Sequence, residues 1–394
     1  MLMKAFSFSK VPPIYFGAGQ VQELSNLITQ FEGKRVLLMT GAKSLEASGK
    51  LDEIKTNLSR SGQVVYHRIC DREPTDALID GICAEIRDFS IDAIVSIGGG
   101  SVIDVGKAIA SDIPPESGAI AHIQSLASKP CFTHPKIPLI AIPTTSGMGN
   151  EVTPKMAIDR IESRGTKTFF THPQFIPDAV IIDPELLISC PPDLTATSGL
   201  VTLSHLIEAE CALHTSVLTE AIIWSGLEAL KDNLLLACAV GATSQAVRGK
   251  MAYASCASGI SQSNSAIGLL QGLSLTLSSF CPIPYRIACS TLAGSALRMS
   301  LKALRTRYAQ NPILLKIAKV GELFDGRTHQ SPHYYCDALV NIVEAWVQIL
   351  PIPRLGQYGI RAQDLPPVIE KTLDYCPNVD LHRNEIYSIL QDRL

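Results

Sequence analysis

The sequence predicts an α/β unit built on a parallel sheet, followed by an all-helical unit. In the first half of the chain, short apolar runs alternate with helical patterns, which is typical of a parallel sheet covered by helices. After residues 183–185 the apolar residues recur at three-and-four spacing over long segments, which indicates helices. A chain of 394 residues is long enough for two domains. We place the boundary so that the units are 1–188 and 189–394.

Each element follows from a local pattern. The β-like apolar runs predict strands at 35–39, 63–66, 93–97, 139–142 and 179–182. The three-and-four spacing predicts helices at 196–213, 218–238, 246–261 and onward. A proline pair before Asp193 makes that residue the expected N-cap of the first of these helices.

The composition gives no support to a nucleic-acid or membrane partner. The chain carries 34 basic and 37 acidic residues, so no net charge favours nucleic acid or an anionic membrane surface. Only 18% of the residues are charged and 46% are hydrophobic, which predicts extensive buried surface, in a thick core or a stable oligomer interface.

The chain shows no targeting or membrane signal, and we expect a cytoplasmic protein. Its start lacks the long apolar core of a secretory signal, and the apolar run 267–277 is too short to cross a bilayer, so we interpret it as a buried helix. The 11 cysteines are an odd number without a C-x-x-C pair, which argues against a disulfide framework or a cysteine zinc site. We expect them to be reduced and packed as small apolar groups.

The most informative motif is the glycine run that follows the apolar stretch 91–97. Gly98, Gly99 and Gly100, followed by Ser101, open into a helical pattern. Glycines let the backbone approach phosphates, and the N-terminus of the following helix favours negative charge. Glycines alone would predict an ordinary tight turn. The strand before them and the helix after them favour a dinucleotide diphosphate site.

The turn after the strand at 35–39 bears on the choice of nucleotide. An acidic residue at such a turn binds the ribose hydroxyls and repels a 2′-phosphate. Here the turn contains Gly41, Lys43 and Ser44, of which the last two can donate hydrogen bonds to a 2′-phosphate. NADP is therefore plausible and NAD is not excluded. The alternative is an ordinary solvated loop.

Five stretches, the glycine motif among them, occur together in an order and at distances that identify a family. They are Tyr15-Phe-Gly-Ala-Gly19, Glu73-Pro-Thr75, Gly98 to Lys107, Pro143 to Glu151, and Ile182-Asp-Pro184. In these stretches the chain resembles the iron-dependent (group III) alcohol dehydrogenases over nearly its whole length. The resemblance implies a dehydroquinate synthase-like architecture, with an N-terminal dinucleotide-binding domain, an all-α C-terminal domain, a cleft where nicotinamide meets substrate, and a homodimer.

The resemblance also implies cofactor-binding roles for individual residues. Gly98, Gly99, Gly100 and Ser101 would hold the pyrophosphate, and Asp104 would lie near the nicotinamide ribose. Thr144 and Thr145 would line the adenosine side, and Lys167 would reach the ribose.

The metal site of the family is largely absent from this sequence. A family member usually presents an aspartate, a histidine one helical turn later, and two more histidines. Here Val201 takes the place of the aspartate, His205 survives, and Gln271 and Tyr285 stand where the other histidines are usual. A catalytic zinc or iron site needs about three protein ligands. We therefore expect no tightly bound catalytic metal, unless an unrecognised ligand such as Glu208 turns inward.

The replacements suggest another source of catalysis. Arg286 follows Tyr285, and a nearby cation would lower the pKa of the tyrosine by roughly one to three units. Tyr285 could then protonate an alkoxide, with His205 relaying protons or orienting the substrate oxygen and Gln271 completing the candidate catalytic set. The alternative is a core tyrosine, a solvated arginine and a structural histidine.

Two functional hypotheses follow. The first is an NADP- or NAD-dependent oxidoreductase that reduces a small carbonyl compound to an alcohol, with Arg286 as the partner of an anionic group on the substrate. The second is a catalytically silent relative that binds dinucleotide and acts as a sensor, scaffold or subunit. A metal-dependent enzyme with altered ligands is a third possibility.

Overall fold

The structure of the protein is a computed structural model. It describes residues 5–42, 44–111, 118–128, 136–160, 166–212, 215–373 and 381–394. The chain forms two compact units. The first contains Ser9–Cys190 and Ala242–Ala252, and the second contains Pro191–Gly241, Tyr253–Leu394 and the N-terminal residues up to Phe8.

The first unit is built on a parallel sheet. Its strands are β1 (Ile14–Phe16), β2 (Arg35–Gly41), β3 (Val64–Cys70), β4 (Ala93–Gly98), β5 (Leu139–Pro143), β6 (Lys155–Arg160), β7 (Thr166–Thr171) and β8 (Ala179–Ile182). Six of them pair in parallel in the order β1-β8-β5-β4-β2-β3, and β6 and β7 form a separate antiparallel pair. The five strands predicted from the sequence are confirmed, whereas β1, β6 and β7 were not predicted.

Helices cover both faces of this sheet. They are α1 (Leu24–Gln30), α2 (Ser44–Ala47), α3 (Lys50–Arg60), α4 (Asp76–Ile86), α5 (Gly100–Ala110) and α6 (Ala119–Ala127). Short 3-10 turns lie at Gln20–Glu23, Arg87–Phe89, Asn150–Val152, Pro173–Phe175 and Pro184–Leu187. Along β2, Leu37 and Met39 belong to one hydrophobic cluster and Val36 and Leu38 to the other. Alternate residues of one strand thus face two cores, which explains its continuous apolar sequence.

In the second unit, the described elements of secondary structure are all helices. Its helices are α7 (Pro192–Cys211), α8 (Val217–Lys231), α9 (Leu234–Ala237), α10 (Gln245–Ser263), α11 (Leu269–Phe280), α12 (Tyr285–Arg307), α13 (Ile313–Asp325), α14 (Pro332–Ile349), α15 (Leu365–Leu373) and α16 (Arg383–Gln391), with 3-10 turns at Leu355–Tyr358 and Ala362–Asp364. The first residues of α10 belong to the first unit. The fold class predicted from the sequence is therefore confirmed, and the run 267–277 lies largely within α11, which is mostly buried.

Two details of the helix prediction are wrong. The single helix predicted at 218–238 is two helices, because Asp232 and Asn233 end α8 at Lys231 and lead into α9; such side chains compete for backbone hydrogen bonds and favour helix ends. The N-cap of α7 is Pro191 rather than Asp193. Proline has no N–H to lose at the first helical position, so the helix begins at Pro192 and Asp193 lies in its first turn.

Two global features bear on the class of protein. No helix in the described part of the chain has both the length and the apolar character that a membrane span needs. Nine of the cysteines lie in described residues, and none of the nine forms a disulfide bond there.

Candidate active site

The glycine motif forms a tight strand-to-helix turn in the first unit. β4 ends at Gly98, Gly99 is the N-cap, and α5 begins at Gly100. A Cβ atom at Gly98 would lie 2.5 Å from a methyl carbon of Val102, so only glycine lets the helix pack this closely on the strand. At Gly99 the nearest atoms to such a Cβ belong to Thr145, at 3.5 Å. This is the geometry that dinucleotide-binding folds use to bring backbone and helix N-terminus to a pyrophosphate.

Two further predicted nucleotide residues, Gly41 and Thr144, lie at the same edge of the sheet. β4 pairs with β2 on one side and with β5 on the other, so Gly41 at the end of β2 and Thr144 directly after β5 flank the glycine turn. The amide N–H of Thr144 donates a hydrogen bond to the carbonyl of Gly98, at 3.0 Å. In doubly wound sheets, ligands bind at this carboxyl edge. Lys43 lies outside the described residues, as does the side chain of Ser44.

Ser101 and Lys167 converge on a carboxylate that the sequence analysis did not select. The Ser101 hydroxyl donates to Glu73 at 3.2 Å, and the Lys167 ammonium donates to the same carboxylate at 2.8 Å. Lys167 is largely buried and also lies 3.9 Å from Asp159. Two residues predicted to contact the cofactor are therefore linked through one acidic group. Glu73 was visible only as part of a family motif.

Asp104 and Lys107 on α5 form a buried polar anchor. Asp104 accepts hydrogen bonds from the Asn150 side chain at 3.0 Å and from the backbone N–H of Ala157 at 3.1 Å. Lys107 donates to the carbonyls of Thr153 at 2.9 Å and Lys155 at 2.7 Å. Burial raises the pKa of Asp104 and lowers that of Lys107. The pair ties the segment after β5 to α5, and the proposed proximity of Asp104 to a ribose remains a prediction.

In the second unit, α7 carries the surviving histidine of the expected metal site. His205 is buried and hydrogen-bonded through both ring nitrogens. Its Nε2 lies 2.8 Å from the hydroxyl of Tyr285, and its Nδ1 is hydrogen-bonded to the side-chain amide nitrogen of Gln262 on α10. Two of the predicted catalytic residues are therefore in direct contact.

The expected role of Arg286 is wrong in one respect. Tyr285 is the first residue of α12, after the N-cap Pro284, and burial raises its pKa well above its usual value, as do the nearby Cys289 and Glu208. Among the described residues, Arg286 is not one of the groups that shift this pKa. Successive residues of a helix point in different directions, so the arginine next in sequence does not stabilise the phenolate. Its Nε atom is buried without a hydrogen-bond partner in the described structure.

Glu208 holds the start of α11. Its carboxylate accepts hydrogen bonds from the backbone N–H groups of Leu270 at 2.5 Å and Gln271 at 3.1 Å, and the Gln271 side chain also bonds to it. Burial outweighs these bonds and raises its pKa to about 7. A Cβ atom at the N-cap Gly268 would lie within 2.6 Å of both carboxylate oxygens, so glycine is required there. The possibility that Glu208 serves as an unrecognised metal ligand is not supported, because both of its oxygens cap this helix.

The residues at the expected metal positions do not fit a catalytic ion. Val201 is fully buried and has no donor atom, and Gln271 bonds to Glu208. Both nitrogens of His205 are engaged by protein groups, one of them by Tyr285. Among the described residues, no group of three or more His, Cys, Asp and Glu side chains is arranged to hold a metal.

Two residues of this cluster were missed from the sequence. Cys289 is hydrogen-bonded to the Tyr285 hydroxyl and lies four residues after it on α12, a spacing that places side chains on one helix face and could have been noticed. Gln262 reaches His205 from a different helix, and no local pattern marks it.

A glycine turn at the carboxyl edge of a doubly wound sheet, followed in the chain by an all-helical unit, is typical of nucleotide-binding folds. Residues 12–184 match the sequence model of iron-containing alcohol dehydrogenases, and residues 195–394 match that of the C-terminal part of the Fe-containing alcohol dehydrogenase family. The chain therefore belongs to the iron-containing alcohol dehydrogenase family of oxidoreductases.

Individual relatives cover most of the chain. A sulfoacetaldehyde reductase of Bilophila wadsworthia is 27% identical over 375 residues, 93% of this chain and 92% of the relative. An NADPH-dependent butanol dehydrogenase of Clostridium saccharobutylicum is 28% identical, covering 89% and 86%. An NAD-dependent methanol dehydrogenase of Bacillus methanolicus is 30% identical, covering 77% and 79%. Among solved structures, a 1,3-propanediol oxidoreductase superposes with a TM-score of 0.86 at 25% identity, covering 99% of this chain and 100% of that one.

Proposed function

We propose that this protein is an NAD(P)-dependent oxidoreductase that reduces a small aldehyde or ketone to an alcohol, without a tightly bound catalytic metal. The observation that carries the proposal is the buried hydrogen bond between His205 and Tyr285, formed by two residues at expected metal-ligand positions. In a family of oxidoreductases, this pair offers a proton donor where relatives are expected to use an ion.

The residues that would hold the dinucleotide belong to the first unit. Gly98 to Ser101 and the start of α5 suit the pyrophosphate, with Thr144 and Thr145 beside them, and Asp104 and Lys167 nearer the nicotinamide ribose. A bound reduced nicotinamide supplies the hydride, and with it both electrons of the reduction.

The choice between NADP and NAD depends on the end of β2. Gly41 carries no charge that would repel a 2′-phosphate, and this supports NADP as the cofactor. Use of NADP in turn supports reduction of the carbonyl as the direction of the reaction. Relatives named as NADPH- and NAD-dependent are both similar to this chain. Calorimetry with NADPH and NADH tests this. Tighter binding of NADPH is expected, and tighter binding of NADH would contradict the assignment.

Tyr285 is the proposed proton donor to the substrate oxygen. A tyrosine keeps its proton at neutral pH, as a donor must, and burial raises the pKa of Tyr285 further, so the phenolate left after proton transfer needs stabilisation by its neighbours. His205, which is hydrogen-bonded to the hydroxyl, would stabilise the phenolate that remains. Together the two residues would supply part of the polarisation of the substrate carbonyl that a metal ion provides in metal-dependent enzymes.

The direct test is Tyr285→Phe, which removes the hydroxyl and keeps the ring. We expect the rate of carbonyl reduction to fall by roughly a hundredfold or more, with nucleotide affinity unchanged. The matched control is Tyr308→Phe, an exposed position at the end of α12, which should keep the wild-type rate. Full activity of Tyr285→Phe would remove this residue from the mechanism.

Metal independence needs its own test. Protein prepared without chelators is subjected to elemental analysis, and activity is measured before and after dialysis against a chelator. We expect less than stoichiometric iron, zinc or nickel and unchanged activity. A stoichiometric metal whose removal abolishes activity would establish the metal-dependent alternative with altered ligands.

We further propose that the substrate carries its own anionic group, which Arg286 recognises. The Arg286 Nε atom is buried without a partner in the described structure, and guanidinium groups bind carboxylates, phosphonates and sulfonates well. The sulfoacetaldehyde reductase relative is named for an anionic aldehyde. Arg286→Ala should raise the KM for anionic aldehydes by tenfold or more and leave that for neutral aldehydes unchanged. Equal KM values for both classes would contradict this role.

A second candidate function is a catalytically silent, dinucleotide-binding relative. The burial of His205 and the raised pKa of Tyr285 are also what a purely structural pair would show. An aldehyde and ketone panel separates the two functions. Nucleotide binding without turnover of any compound would favour the sensor, scaffold or subunit role.

We also propose a cytoplasmic homodimer. The low charged fraction of 18% supports a stable interface. Sedimentation analysis at micromolar concentration should give twice the chain mass of 42.5 kDa, and a monomer would refute the dimer.

A further inference from the structure

We infer that Gln262 is a positioning residue that fixes the protonation of the His205 ring, and so leaves the Tyr285 proton available to the substrate. The inference rests on the proposed function, because it assigns a role in proton donation by Tyr285. It concerns the three side chains that meet on α7, α10 and α12 of the second unit.

The first step is the direction of the hydrogen bond between Gln262 and His205. The amide nitrogen of Gln262 faces Nδ1 of the ring. With the Gln262 amide in this orientation, its nitrogen donates a hydrogen bond and does not accept one, which makes Nδ1 the unprotonated nitrogen. A neutral imidazole has one N–H, and it is therefore on Nε2.

The second step follows at the other side of the ring. Nε2 of His205 lies 2.8 Å from the Tyr285 oxygen, and with a proton on Nε2 the imidazole is the donor and the tyrosine oxygen the acceptor. The proton of Tyr285 itself must then point elsewhere. The Tyr285 hydroxyl then donates its hydrogen bond to the sulfur of Cys289.

The third step is the consequence for chemistry. A thiol is a weak acceptor, so a substrate oxygen can replace it with little loss. The O–H bond of Tyr285 breaks, the proton forms the O–H bond of the product alcohol, and the phenolate keeps the hydrogen bond from Nε2 of His205. Solvent then returns a proton to the phenolate. With the opposite tautomer, Tyr285 would donate to His205 instead and would have no proton for the substrate.

Exposure supports this division of roles. His205 is 1% exposed and Gln262 and Tyr285 are each 8% exposed, so the histidine is the least accessible of the three. His205 is therefore assigned an action on the substrate through Tyr285, and the role of Gln262 follows from its contact with Nδ1 of His205.

The test reads the tautomer directly. Long-range proton–nitrogen spectra of protein labelled with ¹⁵N-histidine distinguish protonated from unprotonated ring nitrogens, and His205→Gln assigns the signals. The variants are Gln262→Glu, whose carboxylate can only accept, and Gln262→Met, which has similar length and no hydrogen-bonding amide. The control is Gln310→Glu, an exposed position outside the cluster.

In the wild type and in Gln310→Glu we expect a protonated Nε2 and an unprotonated Nδ1. In Gln262→Glu, Nδ1 should carry a proton, and in Gln262→Met neither tautomer should dominate. Turnover should fall at least tenfold in Gln262→Glu with nucleotide affinity unchanged. A protonated Nδ1 in the wild type would overturn the inference, whether or not the protein is an enzyme. The predicted tautomer in a protein that turns over no substrate would instead refute the proposed function alone.

Discussion

Replacing Gly268 by alanine tests whether the carboxylate of Glu208 holds α11 in place. Gly268 has extended backbone dihedrals, with φ −87° and ψ 178°, so alanine meets no backbone strain there. The added Cβ would lie within 2.6 Å of both Glu208 oxygens. The carboxylate must then give up its bonds to the N–H groups of Leu270 and Gln271. Hydrogen bonds to a charged group contribute about 1.5–3 kcal/mol each, so losing both after partial relaxation should destabilise the unit by about 2–4 kcal/mol.

The assay is thermal unfolding followed by circular dichroism, in which this loss corresponds to roughly 5–15 °C in Tm. Gly81→Ala is the matched control, because Gly81 lies inside α4 and a Cβ there meets nothing within 4 Å. That variant should be more stable by about 0.5–1 kcal/mol. In a Glu208→Ala background, Gly268→Ala should cost less than about 0.5 kcal/mol. An equal cost in both backgrounds would show that the carboxylate is not the cause.

Two further predictions concern buried charges of the first unit. Burial raises the pKa of Glu151 from 4.5 to about 7, so between these pH values the folded protein keeps a proton that the unfolded chain has released. Relative to Glu151→Gln, the wild type should therefore lose up to about 3 kcal/mol of stability as the pH rises from 4.5 to 7. Parallel curves of Tm against pH for the two proteins would contradict this. Glu385 of the second unit, whose pKa is lowered by its hydrogen bonds with Arg307, is the control of opposite sign. Its contribution to stability is present above about pH 4.5 and is lost as the pH falls through its lowered pKa. Lys107→Met should lower stability in urea titrations by about 2–4 kcal/mol, because it removes the hydrogen bonds to the carbonyls of Thr153 and Lys155 and the cation beside Asp104. A loss below about 0.5 kcal/mol would show that Lys107 is not an anchor.

The sequence predicts the central sheet well because each central strand is buried on both faces. Val36 to Met39 alternate between two cores, so the whole run is apolar and easily recognised. β1 is only three residues long. The β6–β7 pair contains lysines, threonines and an aspartate among its apolar residues, and its register depends on a partner strand that no local pattern reveals. These elements were missed because long-range pairing, rather than local propensity, decides them.

The candidate site was predictable in its residue types and less so in its contacts. The replacements at Gln271 and Tyr285 were visible in sequence, and the structure brings Tyr285 to His205. Adjacency in sequence was a poor guide to contact, since Arg286 follows Tyr285 and yet does not shift its pKa, whereas Cys289, one helical turn away, does. Helical geometry explains both results, because residues four apart share a face and neighbours do not.

The contacts around His205 are those that the burial of an imidazole demands. A buried imidazole whose nitrogens lack partners costs about 1–3 kcal/mol per unsatisfied group. Tyr285 satisfies one nitrogen and Gln262 the other, and both side chains come from helices other than α7. Restoring an aspartate at Val201 would therefore not restore a metal site, because Nε2 of His205 would still be occupied by Tyr285 and the new carboxylate would be buried without a counter-charge. The contacts of His205, Tyr285 and Gln262 depend on one another, so replacing a single residue does not convert this network into a metal site.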